Sequence, residues 1–465
     1  MVLLLTVCLG ARLLLFLAVR PWDETVEKTI ILRSDAAGYH LLATNLVQHH
    51  QFAQQLGGEP ETLRTPLYPL FVAGVYRVFG AAPWVVLLLQ IGLDTLACLL
   101  LFFAIRSIAG GSPAFFAALF HALDPFLVFS SIALMSETLF VLLCVVALYF
   151  LSIVLERRFE AGALPRIAGA ALALGLAALV RPIATYLFAP IFLFFIWTLR
   201  SDPMKAWKVV ATFAAVFLVT LSPWLARNFM HFGVISLSTS GAYNLLVLNV
   251  GPMEMERTRQ PMQVVRQALL DEASHMMLAD GVSESGADGF VEARYHSRLA
   301  RQRILERPLV FLEFYALGIF TSFSNLGTRG YADVLGLRSV DDDRFDLRAH
   351  PNPLEMFTAA LAHKSAAELV VGGISASFLL ISYTCLVLGL WVSRALPSGA
   401  ARSFYFLCGI LAAYFILLTG AAGLARFKVA ATPYLETVAG AGAAFLWPKL
   451  LEKFRRARRA HGRAA

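Results

Sequence analysis

The run "VLLLTVCLGARLLLFLAV" at residues 2–19 is apolar throughout, apart from a single arginine, Arg12. As an α-helix rising ~1.5 Å per residue, it matches a hydrocarbon core of ~30 Å. A cleaved secretory signal is the competing explanation. Against it, Arg12 interrupts the run, no basic segment precedes it, and "AVRPWDE" at residues 18–24 is a poor cleavage site. The run therefore reads as a retained membrane helix. Similar runs recur near 84–105, 113–130, 137–155, 167–180, 183–199, 207–226, 367–393, 403–420 and 429–447, giving ten expected crossings in all.

Composition agrees. Of 465 residues, 58% are hydrophobic and only 15% charged, whereas a soluble domain carries roughly 25% charged residues. The expected class is an all-α polytopic membrane protein. The formal charge of +8 does not point to nucleic acid, because much of it lies in the tail "KLLEKFRRARRAHGRAA" after Trp447. A basic segment there suits anionic lipid at a cytoplasmic surface. The five cysteines (Cys8, Cys98, Cys144, Cys385 and Cys408) all fall inside apolar runs without metal-ligand spacing. Neither a disulfide nor a zinc site is expected.

Basic residues in the short connections set the orientation. Arg106, Arg157, Arg158, Arg166, Arg200, Lys205, Lys208, Arg394 and Arg402 share one face with the tail. Both termini are then cytoplasmic and both long polar stretches lie outside. The expected organisation is a transmembrane half, 1–226, whose outer loop 20–83 carries juxtamembrane helices. An outer region follows at 227–366, then C-terminal membrane helices at 367–447 and the tail at 448–465. The apolar segment 309–323 contains Glu313 and is assigned to the outer interface or a re-entrant position.

Ionisable residues within apolar runs are costly and therefore informative. Arg12 lies eight residues before Arg20, and Asp94 ten after Trp84, so the two sit at similar depths and are expected to pair. Glu137 opens the run "ETLFVLL" at the outer interface, where the helix dipole and a Ser136 cap would explain it structurally. Asp35 stands at the start of "DAAGYHLLATNLVQ", where an N-terminal acid behind a Ser34 cap is the ordinary explanation. Arg64, before the turn-forming Pro66, sits at headgroup level, where snorkelling would suffice. His49–His50 and Asp341 to Asp343 read as solvated loop residues.

The order of these motifs is informative. It runs from an outer loop with "DAAGY", through "RTPLYP" (64–69), "DPFLVFSSIALMSETLF" (124–140), Arg181–Pro182 and "SPWLARN" (222–228), to "ARFKVAATPYL" (425–435). The chain resembles the GT-C superfamily of polyprenyl-phosphate-sugar-dependent glycosyltransferases. Its nearest branches look like bacterial relatives of protein O-mannosyltransferases and of the lipid A aminoarabinose transferase. The resemblance implies a catalytic base at Asp35, a second acid at Glu137, and donor-phosphate contacts from Arg64, Arg181, Arg227 and Arg426. Tyr39, His40 and Tyr68 are candidates for substrate contact. Two departures leave sugar and acceptor open. Both branches carry Asp–Glu where this chain has Asp35–Ala36, and the aminoarabinose enzyme has an acid where this chain has Leu63.

The chemistry matches those residue types. Transfer from a lipid phosphate needs a base for the acceptor hydroxyl, cations for the departing phosphate and an apolar surface for the isoprenoid. The expected partners are a polyprenyl-phosphate sugar donor, a glycan, lipid or protein acceptor, and membrane lipid, at the bacterial inner membrane. No metal is obligatory for this chemistry, although a divalent ion is compatible with it. A transporter or lipid-linked-saccharide flippase is the alternative, and would place its acids around a midplane cavity. A non-catalytic subunit would leave Asp35 replaceable.

Overall fold

Helix α1 (Val2–Val19) is the opening run, and it packs one face, carrying Leu4, Cys8, Arg12, Phe16 and Val19, against a helical bundle formed by the rest of the chain. The computed structural model describes residues 1–160, 162–283, 287–336, 364–396, 399–418 and 420–461. The helices that follow are α2 (Asp35–His49), α3 (Leu67–Phe79), α4 (Pro83–Ala109), α5 (Gly111–Leu123), α6 (Pro125–Ser131), α7 (Glu137–Glu156) and α8 (Ala163–Val180). After these come α9 (Phe188–Thr198), α10 (Pro203–Phe232), α11 (Met262–Ala279), α12 (Gly289–Glu306) and α13 (Pro308–Ser324). Helices α14 (Ala366–Ala395), α15 (Ala400–Leu418) and α16 (Thr432–His461) complete the series, with no strand among the described residues. Seven of these helices are long and apolar enough to cross a membrane, namely α1, α4, α7, α8, α10, α14 and α15. The protein is a multi-pass helical membrane protein.

The other expected crossings take different forms, each for a local reason. The run 113–130 is not one helix. It breaks between α5 and α6 with a bend of 56°. Pro125 cannot donate to the helix, and Asp124 takes over as cap, accepting from the backbone N–H of Phe126 (2.7 Å) and Leu127 (3.3 Å). The run 183–199 opens as a 3₁₀ turn, Pro182–Leu187, before α9 begins. The run 429–447 begins at Thr432 and continues as one helix, α16, to His461. Its glycines permit backbone-to-backbone packing on α14. A Cβ at Gly442 would stand 1.9 Å from the Cys385 carbonyl oxygen, and one at Gly389 would stand 1.9 Å from that of Val438.

Arg12 and Asp94 do pair, both fully buried. The Arg12 guanidinium also donates to the carbonyls of Cys8 (3.0 Å), Ala122 (2.8 Å) and His121 (3.1 Å). The His121 side chain extends the network, with Nε2 3.4 Å from Asp94 Oδ1 and Nδ1 2.9 Å from Glu436 Oε2. One polar chain thus ties α1, α4, α5 and α16 inside the apolar bundle. All five cysteines are buried, with free thiols.

Replacing Asp94 with Asn strands the Arg12 charge in this interior and is expected to cost about 3–5 kcal/mol. The double variant Arg12→Met/Asp94→Leu recovers most of that loss. Thermal unfolding in detergent checks both, and equal melting temperatures for the single and double variants would refute the pairing argument.

Candidate functional site

Short structural reasons bring residues far apart in sequence to one end of the bundle. Ser34 has φ +52°, and the chain enters α2 at Asp35. Such a backbone costs a non-glycine residue about 1–3 kcal/mol. The Ser34 side chain does not cap the helix, contrary to the sequence expectation. Arg64 is positioned by Glu61, whose carboxylate accepts from the N–H groups of Leu63 (2.7 Å) and Arg64 (3.1 Å) and lies 3.7 Å from the Arg64 guanidinium. Gln54 holds Glu61 in turn, at 2.6 Å. Gly38 lets that guanidinium lie against α2, since a Cβ there would stand 2.6 Å from Arg64 Nη2. Glu137 is the first residue of α7. Arg181 follows α8 in an extended conformation, φ −143°, because a residue before proline is disfavoured in a helix. Arg426 lies in the 3₁₀ turn Ala425–Ala430 between α15 and α16.

These side chains form a ladder of alternating charge. Asp35 Oδ2 accepts from Arg426 Nη1 at 2.9 Å, and Oδ1 from Arg64 Nη2 at 3.5 Å. Arg426 Nε is 3.4 Å from Glu137 Oε1, and Arg181 Nη1 is 2.6 Å from that same oxygen. Glu137 is 3% exposed and lies at the buried end, whereas Asp35 and Arg426 are each 39% exposed. The Glu137 oxygens are held by charge attraction and lack a well-aligned hydrogen bond. The guanidinium groups of Arg64, Arg181 and Arg426 face the carboxylates of Asp35, Glu137 and Glu61, so the set is neutral. An incoming anion would compete with these carboxylates for the same guanidinium groups.

Other expected residues divide between the ladder and its supports. Tyr39 joins it, lying 5.2 Å beneath the Arg64 guanidinium and donating to Ser136 Oγ at 3.4 Å. Ser136 thus receives a tyrosine hydroxyl, and its own side chain does not cap α7 as the sequence suggested. Tyr68 meets Tyr39 edge-on at 4.7 Å, but it is fully buried, so it braces Tyr39 rather than facing a ligand. It donates to Gln90 (2.7 Å), which donates to the Ala133 carbonyl (2.7 Å). His40 turns toward α3, with Nδ1 2.8 Å from the Tyr76 hydroxyl. Burial pushes its pKa below the ordinary value, favouring the neutral ring.

Arg227 stands apart from the ladder. It donates to the Glu61 carbonyl (3.2 Å) and to Asn228 (2.7 Å), with its guanidinium 4.6 Å from the Trp224 ring and 5.2 Å from that of Phe232. Its contacts fasten the loop that carries Arg64 instead of reaching Asp35. Glu61, Gly38 and Gln90 were not singled out from sequence. Only Glu61 carried a usable signal, its i,i+3 spacing to Arg64. His49 and His50 are exposed, and Asp341 to Asp343 lie outside the described residues. Among the described residues no three His, Cys, Asp or Glu side chains converge as metal ligands. The carboxylates of the ladder are paired with guanidinium groups.

A family model described as dolichyl-phosphate-mannose-protein mannosyltransferase matches residues 63–226. No curated protein matches the sequence at a significant level. Among solved structures, the archaeal oligosaccharyltransferase AglB from Archaeoglobus fulgidus, in complex with an inhibitory peptide and a dolichol-phosphate, aligns with 97% of this chain and 52% of its own. The identity is 15% and the TM-score 0.52. The Archaeoglobus fulgidus oligosaccharyltransferase complexed with Zn and sulfate aligns with 96% of this chain and 49% of its own, at 15% identity and a TM-score of 0.52. ArnT from Cupriavidus metallidurans bound to undecaprenyl phosphate aligns with 95% and 77%, at 15% identity and a TM-score of 0.40. The chain spans about half the length of the oligosaccharyltransferase chains it matches. The GT-C resemblance read from the sequence is borne out at the level of the fold.

Burial separates the two acids of the ladder in their effect on stability. Glu137→Gln leaves Arg181 and Arg426 without their buried counter-charge and is expected to cost about 3–5 kcal/mol. Asp35→Asn, at a half-exposed position, is expected to change stability by less than about 1 kcal/mol. Thermal unfolding of the two variants checks this. The opposite ranking would show that Asp35, not Glu137, anchors the arginines.

Proposed function

We propose that this protein is a membrane glycosyltransferase. It moves a sugar from a polyprenyl-phosphate donor to an acceptor hydroxyl at the outer face of the bacterial inner membrane, with both of its termini cytoplasmic. The observation that carries this reading is the half-exposed Asp35 held between Arg64 and Arg426. A carboxylate base and paired phosphate ligands stand in one place, which is what the reaction needs. The fold shared with dolichol-phosphate-binding AglB supports it.

The ion pairs suggest an order of events. The donor phosphate competes with Asp35 for the two guanidinium groups, whose planar forks suit phosphate oxygens. As Arg64 and Arg426 transfer to phosphate, Asp35 is left facing the acceptor. The acceptor oxygen attacks the anomeric carbon while its proton passes to Asp35. The bond from that carbon to the phosphate oxygen breaks, and its electron pair leaves with polyprenyl phosphate, inverting the anomeric centre. The arginines stabilise the charge that develops on the leaving group, usually the largest single contribution. Proton transfer to a positioned carboxylate adds about 10²–10⁴-fold. Glu137 acts as a positioning residue, because it lies beneath Arg426 and Arg181.

A transporter or flippase reading places the functional acids at the midplane. The buried acids near that depth, Asp94 and Glu436, are engaged by Arg12 and His121, which favours a structural role for them.

Incubating purified protein with polyprenyl-phosphate sugars and following release of polyprenyl phosphate tests the proposal. Asp35→Asn is expected to lower turnover at least 10²-fold while binding the lipid phosphate as tightly as the native protein, or more tightly. Arg64→Ala or Arg426→Ala is expected to weaken that binding by at least tenfold. Full turnover in Asp35→Asn would overturn the assignment.

A further inference from the structure

A cavity of about 350 Å³ lies in the outer region, walled by α11, α12 and the segments at 62–63 and 239–243. It falls in the range typical of small-molecule sites, ~300–1,000 Å³. One wall is continuous with the ladder. Leu63 lines the cavity, and the next residue, Arg64, pairs with Asp35. That wall is held by the Thr239 N–H, which donates to the Thr62 carbonyl at 2.9 Å, and by the Ser238 hydroxyl, which donates to the Leu63 carbonyl at 2.6 Å. Opposite, α12 approaches so closely that a Cβ on Gly289 would stand 2.2 Å from Thr62 Oγ1.

The chemistry of the lining narrows its ligand. Thr62, Thr239, Tyr243 and Ser274 bring hydroxyl groups, and Glu292 brings a carboxylate. Leu270, Ala273 and Met277 supply an apolar strip on α11, and the Tyr243 and His296 rings meet edge-to-face at 6.5 Å. Among the described residues no lysine or arginine lines the space, so none of them selects a phosphate there. Burial holds the His296 pKa below its ordinary value, which favours the uncharged ring. A wholly apolar ligand would desolvate the hydroxyls without replacing their hydrogen bonds. A ring with hydroxyls on its edge and C–H groups on its face matches both halves of the lining.

We propose that this cavity is a saccharide subsite for the acceptor, taking an uncharged, hydroxyl-rich sugar ring whose neighbouring hydroxyl reaches Asp35. The inference rests on the glycosyltransferase reading for the word acceptor, but its occupancy can be measured without turnover. Ser274→Cys places a thiol in the cavity wall, and the native cysteines are buried, so maleimide labelling of the full-length protein in detergent reports on this position. Millimolar methyl glucoside, galactose or N-acetylglucosamine is expected to slow labelling at least threefold. Glucose 6-phosphate and a neutral tetrapeptide are expected to leave it unchanged, and Glu292→Gln in the Ser274→Cys background is expected to abolish the protection. Ser274→Trp, which fills the cavity, is expected to raise the KM for a sugar-bearing acceptor at least tenfold while slow hydrolysis of the donor continues at the native rate.

Protection by the tetrapeptide alone would overturn the proposal in favour of a peptide acceptor. The absence of protection by every sugar, or an unchanged acceptor KM in Ser274→Trp, would overturn it outright. Protection by sugars together with an inactive donor assay would instead refute the transferase reading and leave the saccharide site standing.

Discussion

A carboxylate at the edge of a low-dielectric bundle is stable only beside a cation, and this structure uses that requirement to assemble its site. Asp35 and Glu137 are far apart in sequence and differ sharply in exposure, yet Arg426 touches both. Because Arg426 sits in the turn before the last helix, the site exists only when α16 is docked. The docking itself depends on glycines that let α16 and α14 meet backbone to backbone. Packing of the bundle and assembly of the charged ladder are therefore mechanically linked. The Arg12–Asp94–His121–Glu436 chain reinforces that link from within the bundle.

The ladder is also balanced in charge. Without a ligand each guanidinium is balanced, and the arrangement is stable. Asp35 and Arg426, each 39% exposed, form the hydrated end of the series. Glu137, at the buried end, pairs with both Arg181 and Arg426. Exposure thus divides one alternating series into a hydrated end and a buried end.

Much of this was legible in the sequence, and the limits have physical causes. Apolar length reveals crossings, and an arginine and an aspartate at equal depth reveal their pairing. Asp35, Arg64, Glu137, Arg181 and Arg426 came from motif order and do meet. The break at Asp124–Pro125 was missed because hydropathy averaged over 113–130 dilutes His121, Asp124 and Pro125 among apolar neighbours, although the Asp–Pro pair itself marks a cap and a helix start. Ser34 and Ser136 were expected to cap helices, but backbone twist at one and a tyrosine hydroxyl at the other decided otherwise. Arg227 resembled a phosphate ligand in its motif, yet nearby aromatic rings and the Glu61 carbonyl claim it. Tyr68 and Gly38 depend on what lies across α2, which no local pattern encodes.

The most direct measurement is a structure of the protein with undecaprenyl phosphate bound. Phosphate oxygens are expected within hydrogen-bond distance of Arg64 and Arg426, with the Asp35 carboxylate released from both and the Glu137–Arg181 pair unchanged. A phosphate bound elsewhere, with Asp35 still held between its two arginines, would contradict that expectation.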